Sequence, residues 1–431
     1  MPTVRRPLTG TAARGAVADC APGGVAVAAT SVVWLREGKR AAIVKGRPWV
    51  YRGEIARIEG APATGDIVTL LDPRGIFLAK GFYHQASLLA VRLLSRRADE
   101  DIDEPFFLRR LEAAWDLRRR ILADPRVCRV VFAEADGLPG LIADRYDVAM
   151  VVQTLVAGMD ARLPTLAAVL ADLTGVRGVF ERNEGPVRRL EGLPERIGAV
   201  WGDPPDEVDI REGPVGLRVH LHTGQKTGHF LDQRENHAAF GDLVARMLLG
   251  GAAGPGTRVL DAFCHTGGFG LAALAAGAGD VTFLDSAATA VDAALANAGR
   301  NGWAASAHPL CANAFDRLRT LAREGEEFGA VVLDPPAFAH GRGQLDAAYR
   351  GYKEINLRAM HLLAPGGLLC SCSCSQPVTP EMFLDMLADA AADAGRRLRV
   401  LAVRGAPPDH PGLLGAGETQ YLKCVLAQAV D

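Results

Sequence analysis

Cys374, within Ser373-Cys374-Ser375, closes an apolar run from Leu368 that reads as a buried strand. Asp334, in Asp334-Pro335-Pro336-Ala337, ends the preceding strand pattern, Gly329 to Leu333. Ligands of open α/β sheets bind outside the carboxyl ends of the strands, so both residues are expected over one crevice. A thiolate is a strong nucleophile. Added to carbon 6 of a pyrimidine, it makes carbon 5 enamine-like and able to attack a methyl group. A neighbouring aspartate can hydrogen-bond the base and stabilise the adduct. The competing reading of Cys374 is a buried, inert thiol. Cys370, Cys372 and Cys374 alternate, so they share one face of a regular strand. Such a run lacks the fourth ligand and the turn of structural zinc, so no metal is expected. Cys370 and Cys372 are expected as small core residues.

A second group of residues could bind the methyl donor. Val259 and Leu260 lead into Asp261, followed by Ala262-Phe-Cys-His-Thr-Gly-Gly-Phe-Gly270 and an Ala/Leu-rich helix to Ala276. Asp285 ends a second strand, Val281 to Leu284. A carboxylate there can hold both hydroxyls of a ribose. Neither G-x-G-x-x-G nor G-x-x-x-x-G-K-[ST] is present, which argues against a pyrophosphate ligand. An acidic Asp261 suits a cationic ligand better. The turn resembles the S-adenosylmethionine (AdoMet) loop of class I methyltransferases; the bland alternative is a generic α/β turn. Asp334-Pro-Pro-Ala departs from the Asp/Asn-Pro-Pro-Phe/Tyr of amino-group methyltransferases, because Phe338 stands one place late. That argues against exocyclic nitrogen as the target.

The elements that position these residues follow from the pattern around them. From Ser31 to Arg97, short strands (Val32–Leu35, Ile55–Ile58, Ile67–Leu71, Ile76–Ala79 and Leu88–Leu93) alternate with glycine turns, as in a small β-barrel. Arg36, Lys39, Arg40, Lys45, Arg47 and Arg52 cluster there around Trp49 and Tyr51. Such a cluster can bind phosphates and stack on bases, or be a solvated face over two core aromatics. A helix over Asp103–Leu122 opens a second, α+β unit. The polar run Gly224-Gln-Lys-Thr-Gly-His-Phe-Leu-Asp-Gln-Arg-Glu-Asn236 lines a site or forms a surface turn. Beyond it, strands and helices alternate to the C-terminus, with His308–Cys311 a third strand and Asn313 at its carboxyl end.

A chain of 431 residues accommodates two or three domains of about 100–200 residues each. Its formal net charge of −2 gives no global basic signature, so a nucleic acid would have to meet local basic patches. The eight cysteines include no Cys-x-x-Cys, which points to reduced thiols and a cytoplasmic location. No apolar run approaches about 18 residues, so no transmembrane helix and no membrane partner are expected. Arg5, Arg6 and Arg14 precede an Ala/Gly/Val stretch without a compact apolar core, which reads as a flexible tail.

Five motifs in order carry a family resemblance. They are Gly224-Gln-Lys-Thr-Gly-His-Phe-Leu-Asp-Gln-Arg234, Asp261-Ala-Phe-Cys-His-Thr-Gly-Gly-Phe269, Leu333-Asp-Pro-Pro-Ala-Phe338, Arg350-Gly-Tyr-Lys-Glu-Ile-Asn356 and Ser373-Cys-Ser375. Together they resemble the RlmI-type ribosomal RNA large-subunit cytosine-5 methyltransferases, from about residue 31 to the end. The resemblance implies an α/β chain with a Rossmann-like class I methyltransferase domain. Its expected parts are a tail (1–30), a PUA-like RNA-binding domain (31–97), a central α+β domain (98–195) and an AdoMet-dependent methyltransferase domain (196–431). It implies Cys374 as nucleophile, Asp334 as catalytic-loop carboxylate and Asp285 as ribose carboxylate. Asp261, Phe263, Gly267, Gly268, Asn313 and Asp334 complete the expected cofactor site.

Large-subunit ribosomal RNA, free or partly assembled, is the implied partner, with Lys45, Arg47, Trp49, Lys226, Arg234 and Lys353 against it. A homodimer is left open. Two departures stand out. Asn313 replaces an aspartate near the adenine amino group, and no cysteine follows Pro335-Pro336 to assist product release. His340 and Lys353 are candidate bases for that step. Two rivals remain: a methyltransferase of the same fold acting on a nitrogen, such as guanine nitrogen 7, and a non-catalytic RNA-binding module.

Overall fold

The computed structural model describes residues 31–222, 228–249 and 257–430. The expected tail, residues 1–30, and Lys226 lie outside the described residues. The first sheet comprises β1 (Val32–Leu35), β2 (Trp49–Tyr51), β3 (Ile55–Glu59), β4 (Ile67–Leu71), β5 (Phe77–Tyr83) and β6 (Leu89–Ser95), with a short helix α1 (Arg40–Val44) after β1. The six strands run in the order β2-β6-β5-β4-β1-β3. Alternation along β1 and β4 buries Val33, Leu35, Val68 and Leu70, the inward face of a one-sided sheet. β2 is three residues long and sits inside the basic, aromatic cluster, which hides it from periodicity.

Next comes α2 (Glu104–Ile121), whose N-cap Asp103 accepts from the Phe106 N–H at 3.0 Å. Its apolar stripe, Phe106, Phe107, Leu111 and Trp115, packs on a five-stranded sheet. That sheet comprises β7 (Val127–Phe132), β8 (Leu141–Tyr146), β9 (Ala149–Thr154), β10 (Gly178–Asn183) and β11 (Arg196–Gly202), in the order β11-β10-β9-β8-β7. Helices α3 (Ala157–Asp160), α4 (Leu163–Thr174) and α5 (Pro186–Leu190) connect its strands. β11 pairs antiparallel with β10, so this sheet runs past residue 195, where the methyltransferase domain was expected to begin. A hairpin of β12 (Glu207–Glu212) and β13 (Val215–His220) follows.

The C-terminal part is a three-layer α/β unit. Its elements are α6 (Arg234–Leu249), β14 (Arg258–Ala262), α7 (Gly268–Ala275), β15 (Asp280–Asp285), α8 (Ala288–Arg300), β16 (Ala307–Cys311), α9 (Ala314–Glu324), β17 (Phe328–Leu333), α10 (Leu345–His361), β18 (Leu363–Ser373), α11 (Pro380–Ala394), β19 (Leu398–Arg404) and β20 (Lys423–Ala429). The strand order is β16-β15-β14-β17-β18-β20-β19, with β20 antiparallel to both neighbours. One apolar core lies on each face. The order reverses between β14 and β17, which places a crevice at their carboxyl ends.

The three parts are tied by buried polar contacts. Trp49 Nε1 donates to Glu134 Oε1 at 2.9 Å, and Arg92 bridges Glu134 and Glu191. Arg118, fully buried, bonds Asp136 at 2.6 Å and the Asp409 carbonyl at 2.8 Å. The first and last parts meet backbone to backbone: a Cβ on Gly415 would lie 2.1 Å from the Lys45 carbonyl oxygen, so only glycine fits.

Candidate active site

β14 delivers Asp261 and then turns sharply. Phe263 (φ 64°), His265 (φ 48°) and Gly267 (φ 89°) all take left-handed backbone. For the two non-glycine residues this costs about 1 kcal/mol or more each, so the surroundings must hold the turn. They do so through the carboxylates expected to bind the cofactor. Asp261 Oδ2 accepts from the Gly270 N–H at 2.8 Å. Asp285 accepts from the His265 N–H at 3.2 Å and from the Ala287 N–H at 3.0 Å. A Cβ on Gly270 would sit 2.4 Å from the Phe283 ring, so α7 can start only from glycine here.

Asp261 is buried, and burial pushes its pKa up to about 7; the Gly270 bond opposes this and the nearby Asp285 adds to it. A desolvated carboxylate beside a second one favours a cationic ligand, and Asp285 presents an anchored carboxylate for hydroxyls. This donor set fits the sulfonium, amino group and ribose of AdoMet.

Asp334 follows β17 directly, beside this turn: its N–H donates to the Ala262 carbonyl at 3.3 Å. Gln233 Nε2 donates to Asp334 Oδ1 at 3.0 Å. Asp334 keeps some contact with solvent at the crevice mouth, yet desolvation is the main cause of a pKa pushed up to about 8, with Asp232 next. Cys374 comes immediately after β18 and is part-buried. Its thiol lies 3.9 Å from the Pro335 carbonyl oxygen, so Cys374 and the Asp334 loop adjoin. Ser375 is clamped on the far side: its Oγ accepts from the Ala339 N–H at 3.0 Å and lies 2.9 Å from the Tyr352 hydroxyl.

Three further residues surround this pair that sequence reasoning missed. Lys423 donates from Nζ to the carbonyls of Ser375 (2.7 Å) and Tyr421 (2.8 Å). Tyr421 in turn donates to Asp232 Oδ2 at 2.5 Å. The available signals were a lysine inside the apolar run Leu422–Ala427 and the polar density of 231–236.

Other expected residues fall elsewhere. Asn313 is exposed, and its Oδ1 caps α9 by accepting from the Asp316 N–H at 3.4 Å. Phe338 packs on Tyr352, with ring centroids 4.5 Å apart. Of the residues expected against RNA, five are described, and they fall on separate parts of the fold. Lys45 is exposed at the end of α1. Arg47 pairs with Glu54 at 2.5 Å. Trp49 is engaged by Glu134, and Lys353 pairs with Asp393 at 2.8 Å between α10 and α11. The Arg234 guanidinium turns inward to the Val127 carbonyl (2.6 Å) and Asp409 (3.4 Å), tying α6 to β7 and to the loop between β19 and β20.

The open surface near Cys374 is instead a groove of about 1180 Å³ lined by Tyr51, Arg342, Arg404, Gln420, Tyr421 and Lys423 among others. Two buried clusters have ligand chemistry. Cys370 and Cys372 join Cys424 across the β18–β20 pair, within the apolar core. Glu212 accepts from or pairs with His229 at 2.8 Å and His237 at 2.9 Å, beneath the glycine turn.

Comparison with known proteins gives these geometries a family. Residues 33–96 match a PUA-like domain, and residues 193–424 match an S-adenosylmethionine-dependent methyltransferase. A ribosomal RNA large subunit methyltransferase I of Tolumonas auensis is 37% identical over 406 residues, covering 93% of this chain and all of the relative. The protein of the same name in Vibrio cholerae is 38% identical over 400 residues, covering 91% and 98%. A SAM-dependent methyltransferase from Streptococcus mutans shares the fold, with TM-score 0.77 and 18% identity, covering 92% of this chain and 99% of that one. A related structure solved with S-adenosylhomocysteine aligns with TM-score 0.77 and 17% identity, again over 92% and 99%. The expected fold class and cofactor are thereby met: the chain is an AdoMet-dependent methyltransferase, and it belongs to the family of the ribosomal RNA large subunit methyltransferase I proteins.

Proposed function

We propose that this enzyme methylates carbon 5 of a cytosine in large-subunit ribosomal RNA through a transient bond to Cys374. The observation that carries the reading is the contact of the Cys374 thiol with the Asp334-Pro-Pro loop, at the carboxyl ends of two adjacent parallel strands. Bound AdoMet supplies an electrophilic methyl group. The chain's own residues make carbon 5 nucleophilic. The Cys374 thiolate bonds carbon 6 of the ring. Asp334, in its acid form at neutral pH, donates a proton to the ring nitrogen that gains electron density. Carbon 5 then takes the methyl group and loses its proton to a base, the S–C6 bond breaks to restore the thiolate, and the ring nitrogen returns its proton to Asp334. Asp261 and Asp285 hold the cofactor.

The base must leave any stack to reach the thiol, so free or partly assembled RNA suits the site. Residues 31–97, the PUA-like part, are read as an RNA-holding module. Among the described residues no helix is long and apolar enough to cross a membrane. The free cysteines suit a reducing cytoplasm. The test is methyl transfer from labelled AdoMet to large-subunit RNA, with nucleoside analysis, for wild type and Cys374→Ala. Label in 5-methylcytidine that is lost in the variant supports the reading. Label in another nucleoside, retained by the variant, sinks it in favour of nitrogen methylation.

A further inference from the structure

Lys423 is almost wholly buried, at 3% exposure, at the start of β20. In the β18–β20 register it stands opposite Ser373, while its Nζ reaches the carbonyl of Ser375 at 2.7 Å. The two contacts bracket Cys374. An ammonium carries three N–H donors, and here two meet carbonyls of Ser375 and Tyr421. No carboxylate of the described residues lies within ion-pair range of it. A buried ammonium without an anion is costly. The bland account is a lysine that ties down the chain where β18 ends.

We propose that Lys423 is a positioning residue that holds Cys374 as a thiolate, a step that rests on the nucleophile role given to Cys374 above. The proton of the thiol leaves to solvent, and Lys423 keeps its own throughout. When the S–C6 bond breaks, the electron pair returns to sulfur, whose negative charge the ammonium stabilises through the field. Burial pushes the Lys423 pKa down to about 8, and the attraction of Cys374 acts against that fall. The other titratable groups around the thiol are Tyr421 on the same approach to β20, Tyr352 from α10, and Asp232 and Asp334 beyond them. Tyr421 donates to Asp232, which moderates that negative charge. Among these groups Lys423 is the cation, tied by its Nζ to the carbonyl of the residue after Cys374.

The test needs neither RNA nor methyl transfer. The full chain is alkylated with iodoacetamide from about pH 6 to about pH 10, and the Cys374 peptide is followed by mass spectrometry. A thiolate held by Lys423 gives wild-type protein a midpoint below the ordinary thiol value of about 8.5. In Lys423→Met the midpoint rises by about one unit or more, and alkylation at neutral pH slows about tenfold. Lys423→Arg keeps the charge and restores part of the rate. A wild-type midpoint at or above the ordinary value overturns the proposal, even if Lys423→Met fails to fold. So does an unchanged profile in a Lys423→Met protein that still binds AdoMet. If Cys374→Ala retains methyl transfer, the covalent reading fails separately, and the alkylation profile still decides whether Lys423 acts on the thiol.

Discussion

Gln233 donates its side-chain N–H to Asp334 Oδ1 at 3.0 Å, joining the turn before α6 to the carboxyl end of β17. That bond engages one oxygen of the carboxyl and leaves the other to carry a proton. Desolvation favours the acid form, with the pKa pushed up to about 8 against the pull of Gln233. An acid is the form that can protonate a ring nitrogen as sulfur adds. On the proposed mechanism Asp334 acts as the acid, so kcat/KM should fall about tenfold per unit as pH rises above about 8. Asp334→Asn should lose about 10²- to 10⁴-fold in kcat and abolish that alkaline limb. Steady-state rates across pH on one RNA substrate decide it; a variant with near-normal kcat removes Asp334 from the chemistry.

On the proposed cofactor role, Asp261 would give AdoMet binding its own pH dependence. Burial holds its pKa near 7 in the free enzyme. A cation brought beside it favours the ionised form, so binding AdoMet should release a proton below that pH. Affinity should then tighten as pH rises toward about 7 and level off above it. Calorimetry in two buffers of different ionisation enthalpy measures the proton release directly. Asp261→Asn should weaken AdoMet about tenfold or more and show no release. Equal release in the variant would assign the proton to another group.

The legible part of this protein is the part whose side chains end long apolar runs. Asp261 and Asp285 lie at the carboxyl ends of β14 and β15, and Asp334 and Cys374 directly follow β17 and β18, so their placement at one sheet edge follows from strand order alone. Lys423 and Tyr421 were hidden because their approach to Cys374 depends on the antiparallel register of β20 on β18, which no local pattern encodes. Arg234 and Trp49 were read as RNA contacts from charge and aromaticity. Their partners, Asp409 and Glu134, lie far away in the chain and become neighbours only when the sheets dock. β11, with the weak edge-strand pattern of Arg196–Gly202, carries too little periodicity to be read.

Glu212 links stability to the cofactor loop. Burial alone would raise its pKa, but His229 and His237 outweigh it and hold the carboxyl well below its ordinary 4.5. The folded value being depressed, its contribution is present above 4.5 and is lost as pH falls through the lower folded value. Removing one partner of a buried pair costs about 3–5 kcal/mol. Glu212→Ala should therefore lower the unfolding temperature of the catalytic part at neutral pH, with the difference shrinking in acid. His237 packs directly under the turn, since a Cβ on Gly268 would lie 2.3 Å from its ring. The same variant should also weaken AdoMet binding. Thermal unfolding at two pH values and a binding titration test both halves; a constant difference across pH would deny the electrostatic part.

The groove beside Cys374 gives the last prediction. Tyr51 from β2 and Arg342 from the loop before α10 line it together with Lys423 and Gln376, so one surface runs from the first sheet to the segment after Cys374. Tyr51 is 39% exposed in the groove, with Arg47 over its ring at 5.3 Å, so the exposed part of the ring is available to a base. Base stacking on an aromatic is worth about 1–3 kcal/mol, so Tyr51→Ala should weaken RNA binding about 5- to 150-fold. Arg342 is exposed, and a phosphate contact from it should add about one to the salt slope of binding. Arg342→Ala should then lower affinity and flatten that slope by about one, with AdoMet affinity unchanged. Filter binding of a large-subunit RNA fragment at several salt concentrations separates the two effects. If both variants bind RNA as wild type does, the RNA path runs over another face, and the groove serves only the target base.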